Sequence, residues 1–157
     1  MLPDATVRFL AAAADVGLDP DPTVYPDGTK TAADAAAAIG CDVAQIVKSL
    51  VFMVDDEPVL VLMPGDLRLD TQKLGLLLGG TARRADLDEV RRFTGYAAGG
   101  TPPFGHVYPI PVYADGRLAR HPDLWAAAGT PTTVFPIAHD DLLRVTGAAS
   151  ADLAESR

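Results

Sequence analysis

The sequence predicts an α+β fold, a single domain with one curved mixed β-sheet and helices packed around it. Three observations lead there. Helical and strand-like stretches are mixed without strict alternation. No strand runs through a Gly-x-Gly-x-x-Gly turn into a helix, so a doubly wound nucleotide-binding sheet is not expected. The 157 residues show no internal repeat and no linker, which suits one domain with its own core.

Each element has a local reason. Pro3-Asp4 starts a helix running to about Val16, with Gly17 past its end. Residues 18–30 are rich in Pro, Asp and Gly and hold at most a short strand around Thr23 to Tyr25. Thr31 with Asp34 resembles a capping box before a short helix to Ile39, where Gly40 is the stop, and Asp42 can cap one further turn. From Ile46 to Val54 both alternating sets are apolar apart from Lys48 and Ser49, the pattern of a strand covered on both faces. Asp55-Asp56-Glu57 turns the chain, and Pro58 to Met63 returns as the second strand of a hairpin. Asp70 is the expected N-cap of a helix from Thr71 to Leu78 that Gly79-Gly80 ends. Ala82 to Arg84 reads as a short strand. Leu87 to Phe93 reads as a short helix with Asp86, Asp88 and Glu89 near its start. Val107 to Tyr113 reads as a strand interrupted by Pro109 and Pro111, hence an edge or a bulge, and Asp115-Gly116 as a hairpin-type turn. Leu124 to Ala128 and Val134 to Ile137 are further strands, and Leu142 to Thr146 is a last helix stopped by Gly147. The domain is therefore placed at 1–147, with 148–157 expected to fray.

Composition narrows the function. Hydrophobic residues make up 48%, which is incompatible with global disorder. The single cysteine, Cys41, rules out an internal disulfide framework or a Cys-based zinc site and fits a reduced, cytoplasmic setting. The alanine run between Asp4 and Arg8 and residue 14 is too short to span a membrane and lacks the order of a signal peptide. No later segment approaches the roughly 18 unbroken apolar residues of a spanning helix. A net charge of −8 argues against a sequence-independent grip on nucleic acid. Arg83, Arg84, Arg91 and Arg92 are either a small basic patch or a solvated helix face. Walker A, His-Glu-x-x-His and Gly-x-Ser-x-Gly motifs are absent, and His106, His121 and His139 are too spread in sequence to suggest a metal site.

Two features point to chemistry. Thr94 to Gly105 holds four glycines and two prolines among twelve residues. Gly99-Gly100 can take backbone angles closed to other residues, while Pro102-Pro103 fixes φ, giving a shaped loop whose remaining N–H groups can converge on a ligand. The second feature is Lys48, a lysine inside an otherwise apolar strand. It either snorkels to water or supplies a positive charge to a phosphate or a developing oxyanion.

The run Ile46-Val47-Lys48-Ser49-Leu50-Val51-Phe52, then Gly95, then Gly99-Gly100-Thr101-Pro102-Pro103-Phe104-Gly105, and later Ala126-Ala127-Ala128-Gly129, resembles the YbaK/EbsC-type aminoacyl-tRNA deacylases. These are free-standing relatives of the editing domain inserted in bacterial prolyl-tRNA synthetases. The resemblance extends from about Asp19 to Gly147. It implies the YbaK fold and hydrolysis, without metal or cofactor, of the ester joining a wrong amino acid of the Cys, Ala or Ser type to the 3′ adenosine of a tRNA. It also implies a water positioned by backbone donors and by a ribose hydroxyl of the substrate. Lys48 is then required for catalysis, together with Gly99, Gly100 and Thr101. Pro102, Pro103, Phe104 and Gly105 complete the loop against the aminoacyl end. Gly129 lies on the opposite side of the pocket, Asp115 matches an acidic position, His106 adjoins the loop, and Tyr25 and Phe52 are candidate pocket walls. The implied partners are aminoacylated tRNA and, as in some members, an aminoacyl-tRNA synthetase that holds it. The competing reading is a non-catalytic module that keeps the pocket to bind aminoacyl-tRNA or a nucleotide while docked on a synthetase.

Overall fold

A computed structural model describes residues 1–26, 29 and 31–156; Asp27, Gly28 and Lys30 of the 18–30 segment, and Arg157, lie outside the described residues. Its centre is a hairpin of β2 (Ile46–Val54) and β3 (Glu57–Pro64). The turn is tighter than the sequence implies. Asp55 and Asp56 alone take positive φ, 47° and 68°, as a two-residue primed turn requires, and Glu57 already pairs with Val54.

The remaining strands are β1 (Thr23–Val24), β4 (Ala82–Arg84), β5 (Val112–Asp115), β6 (Asp123–Ala127), β7 (Thr133–Ala138) and β8 (Ala149–Ala151). They form one eight-stranded mixed sheet in the order β1-β7-β6-β2-β3-β5-β8, with β4 also on β2. Five α-helices accompany it among the described residues: α1 (Asp4–Asp15), α2 (Ala32–Ile39), α3 (Thr71–Leu78), α4 (Leu87–Thr94) and α5 (His139–Thr146). The α+β single-domain reading holds.

Both faces of the central hairpin are covered, which is why its sequence shows no polar side. Val47, Val51 and Met53 pack with Phe9, Phe104 and Phe135; Phe52 and Val54 pack with Leu74 and Leu153. Helix α1 contributes Thr6, Phe9 and Ala13 at helical spacing. The Phe9 ring stands 5.1 Å from Phe104 and 4.7 Å from Phe135. Caps act where the sequence places them. Thr31 Oγ1 accepts from the Asp34 amide at 3.0 Å, and Asp70 Oδ1 from the Gln72 amide at 2.9 Å. Helices α2 and α3 end on left-handed Gly40 and Gly79.

Three expectations need correction. Residues 107–111 are not a strand: Pro109 and Pro111 cannot donate to a ladder, and regular pairing begins at Val112. Asp115-Gly116 is not a hairpin turn. The Asp115 carboxylate accepts from the Arg117 amide at 2.9 Å and starts a 3-10 turn, Gly116–Arg120. The C-terminal segment does not fray. Strand β8 pairs in parallel with β5, and Leu153 is fully buried.

Asp115 ties that segment down. Its side chain is fully buried, accepts from the Leu153 amide at 2.9 Å and pairs with the Arg117 guanidinium at 3.0 Å. Arg117 also reaches Asp152 at 3.1 Å, and Lys73 meets Asp152 at 3.2 Å. A buried carboxylate saturated in this way is a structural clasp and is not exposed to a ligand. Leu153→Ala is expected to lower the free energy of unfolding by about 2–5 kcal/mol in urea titration. A change under about 0.5 kcal/mol would show that the C-terminal segment is not part of the core.

Candidate active site

The site begins as an incomplete edge. One edge of β2 is paired with β3 along its length. Its other edge is shared. Strand β6 runs parallel at Ile46 and Val47, and β4 runs antiparallel from Phe52 to Val54. Between them, residues Lys48 to Leu50 face no strand among the described residues. The Val51 carbonyl accepts from the Ala85 amide at 3.1 Å on this edge. Backbone groups alternate sides along a strand, so the N–H and C=O of Ser49 point into the gap. There a cavity of about 260 Å³ opens. Its polar lining includes Lys48, Ser49, Arg84, Gly99 and Thr101; Ala32, Ala35, Ile46, Ala126 and Ala127 give it small apolar walls.

Gly99 and Thr101 therefore share a cavity with Lys48, approached from different sides. Lys48 projects from the β2 face that carries Leu50 and Phe52, whereas the glycine–proline loop packs with Phe104 on the face of Val47 and Val51. The gap lets both faces contribute. The Lys48 Nζ donates to the Leu67 carbonyl, a neutral partner, so the charge is not cancelled by that bond. Burial pushes the Lys48 ammonium below its ordinary pKa, and Arg68 and Arg84 push the same way while Asp66 opposes them.

The loop is held by its own backbone. The Gly100 amide donates to Ala97 O at 3.1 Å, and its carbonyl accepts from the Gly129 amide at 3.0 Å. A Cβ at Gly100 would lie 2.6 Å from Thr130 Cα, so only glycine lets the loop dock on the 129–133 turn. Thr101 Oγ1 donates to Ala97 O at 3.1 Å. These bonds revise the expected roles. The Gly100 amide and the Thr101 hydroxyl are occupied; the amides of Gly99 and Thr101 have no partner among the described residues. Pro102 and Phe104 are buried anchors, and His106 Nε2–H donates to Pro102 O at 2.7 Å. Burial pushes the His106 pKa down, against the opposing effect of that hydrogen bond.

Other expected site residues fall elsewhere. Phe52 is buried beneath a neighbouring cavity. Tyr25 does not line the cavity; its amide bonds Thr132 O at 2.7 Å. Gly105, at φ 84°, lies against Ala12, and Pro103 is buried away from the cavity. Gly129 is not opposite the loop but behind it, close against the backbone of Ala5 and Thr6. Asp115 is the clasp described above. The arginines also separate. Arg83 is locked on Glu89 by two contacts of 2.8 Å, which hold the Glu89 carboxyl down to about 2. Arg84, on the opposite side of β4, lines the cavity. Ser49 and Trp125 line it too, and neither was singled out from sequence. The break in an apolar strand at Ser49 was the available signal. Ser49 Oγ is buried with no hydrogen-bond partner among the described residues.

Among the described residues, no three His, Cys, Asp or Glu side chains are grouped to hold a metal, and no helix is long and apolar enough to cross a membrane.

Comparison with known proteins agrees with this architecture. A crystal structure described as "a putative trans-editing enzyme for prolyl tRNA synthetase" superposes with a TM-score of 0.96 at 43% identity, over 99% of this chain and 100% of that one. The uncharacterized protein YwhH of Bacillus subtilis (strain 168) is 31% identical over 123 residues, 78% of each chain. The proline–tRNA ligase of Geobacter sp. (strain M21) is 38% identical over 103 residues, covering 64% of this chain and 18% of the ligase, so the chain spans under a fifth of that enzyme. The aminoacyl-tRNA editing domain family matches residues 26–145, most of the chain, so the chain belongs to that family.

Proposed function

We propose that the chain is a trans-acting aminoacyl-tRNA deacylase that hydrolyses the ester of a mischarged tRNA at its 3′ adenosine. The observation that carries this reading is the convergence of Lys48 with Gly99 and Thr101 on one cavity at a break in the sheet. Water adds to the ester carbonyl, negative charge grows on the carbonyl oxygen, and the bond to the ribose oxygen breaks. The ribose oxygen takes a proton, and a free amino acid leaves. An aminoacyl ester is already activated, so the protein needs no nucleophile of its own. Fixed donors at the developing oxyanion suffice, and the amides of Ser49, Gly99 and Thr101, which have no partner among the described residues, are the candidates, with Lys48 lining the same cavity. A ribose hydroxyl of the substrate helps place the water, as the family resemblance implies.

The family resemblance implies a small aminoacyl group of the Cys, Ala or Ser type, which the cavity of about 260 Å³ has room to admit. The substrate is tRNA, with a synthetase such as the prolyl enzyme as the partner that presents it, in the cytoplasm.

A panel of tRNAs mischarged with Cys, Ala and Ser tests the reading. At least one ester is expected to disappear faster with the protein than in buffer; saturable binding without turnover would instead favour a non-catalytic module. Lys48→Ala is expected to unfold at the wild-type temperature while kcat falls about 10²–10³-fold, and full turnover would remove Lys48 from the mechanism.

His106 gives a pH signature. The folded chain resists a proton that the unfolded chain takes at the ordinary imidazole value, about 6.5. Stability from the neutral ring is present above that value and lost as pH falls toward the lower folded one. Urea titrations from about pH 7.5 to 5 are expected to show the decline, and His106→Gln to flatten it. Parallel wild-type and variant curves would mean that the ring does not hold the loop.

A further inference from the structure

A second cavity, of about 690 Å³, adjoins the first across Lys48, Leu50 and Arg84, which line both. Its remaining walls include Arg68, Glu155 and the start of α3 at Asp70 to Gln72. Three cationic side chains thus face one space, on a chain whose net charge is −8.

Asp66 offsets part of the charge at Lys48, and the two acids that line the cavity, Asp70 and Glu155, do little to neutralise the arginines. The Asp70 carboxylate is engaged in capping, accepting from the Gln72 and Lys73 amides at 2.9 and 3.3 Å. Glu155 stands 3.9 Å from Arg68, with the two side chains 51% and 85% exposed, a loose pair in solvent that contributes little. Arg84 makes no salt bridge among the described residues, in contrast to its neighbour Arg83 on Glu89. Arg68 and Arg84 each lie near enough to repel the Lys48 ammonium, and all three line the same space. Like charges gathered around a cavity, without buried counterions, suit an incoming polyanion.

The covalent structure of the ligand says which one. A nucleoside esterified at its 3′ end continues through its 5′ phosphate, and that phosphate must leave the first cavity. Resting on the deacylase reading for what occupies the first cavity, we propose that the second cavity is a phosphodiester subsite. It holds the backbone of the nucleotides just 5′ of the esterified adenosine, with Arg84 and Arg68 as phosphate-binding residues. Arginine suits this task because its planar fork matches two phosphate oxygens.

The test is calorimetric binding of two uncleavable probes, with an amide in place of the ester. One is 3′-alanylamino-3′-deoxyadenosine, and the other is the same nucleoside ending a cytidylyl-cytidylyl-adenosine trinucleotide. The wild type is expected to bind the trinucleotide about tenfold or more tightly at low salt, with log K falling by about 0.7 per contacted phosphate for each unit of log salt. Arg84→Ala is expected to remove most of that advantage and Arg68→Ala part of it. Glu155→Gln is expected to increase it, and Arg91→Ala, on α4, to keep it. Inorganic phosphate at the probe concentration is expected not to displace the trinucleotide; displacement would assign the cavity to a free anion and overturn the proposal. Equal affinity of the wild type for both probes, or an undiminished advantage in both arginine variants, would also overturn it. If mischarged tRNA is hydrolysed while the trinucleotide gains nothing, only the subsite fails. If no ester is cleaved and neither probe binds, the deacylase reading fails and the subsite with it.

Discussion

Strand β2 is longer than either strand that covers its second edge, and the site depends on that mismatch. Eight of its nine residues are paired on one side by β3, but on the other side β6 covers two positions and β4 three. A gap inside a sheet leaves backbone N–H and C=O groups without ladder partners, which is costly where water is excluded. Here the gap opens into a cavity, so those groups face solvent or ligand. The same opening lets residues from both sheet faces meet, which a complete sheet would forbid. Lys48 from one face and the glycine–proline loop from the other share a cavity for this reason.

The loop supplies the second constraint. Its position is set by backbone against backbone, with Gly100 pressed on Thr130 and Gly129 pressed on the first turn of α1. Side chains hold it from behind: Phe104 sits among Phe9 and Phe135, and His106 holds the Pro102 carbonyl. Donor amides fixed in this way need little reorganisation when charge develops nearby, which is what the proposed hydrolysis asks of them. The arrangement also explains why glycine is needed at positions 100 and 129, neither of which lines the cavity.

Charge is distributed by the same economy of placement. The chain is acidic overall, yet its arginines divide by local pairing. Arg83 and Arg117 are tied into carboxylates and hold structure, while Arg84 turns to the cavity. Adjacent residues on a strand point to opposite faces, so two neighbouring arginines acquire unrelated roles.

Much was legible in the residues alone. The bounds of β2, α3 and β4 and the glycine stops follow from local rules, because alternation, caps and left-handed glycines act within a few residues. Lys48 and the loop stood out because each breaks a local pattern at a cost. What the sequence could not show depends on distant partners. Asp115 looked like a ligand-facing acid and became a clasp because Leu153, 38 positions later, offers its amide. The supposedly loose end became β8 because β5 had a free edge. Ser49 and Arg84 joined the site because β6 and β4 stop short of each other on β2. Local preference is written into neighbouring residues, whereas an opening exists only where separate strands fail to meet, and that is decided by the assembled sheet.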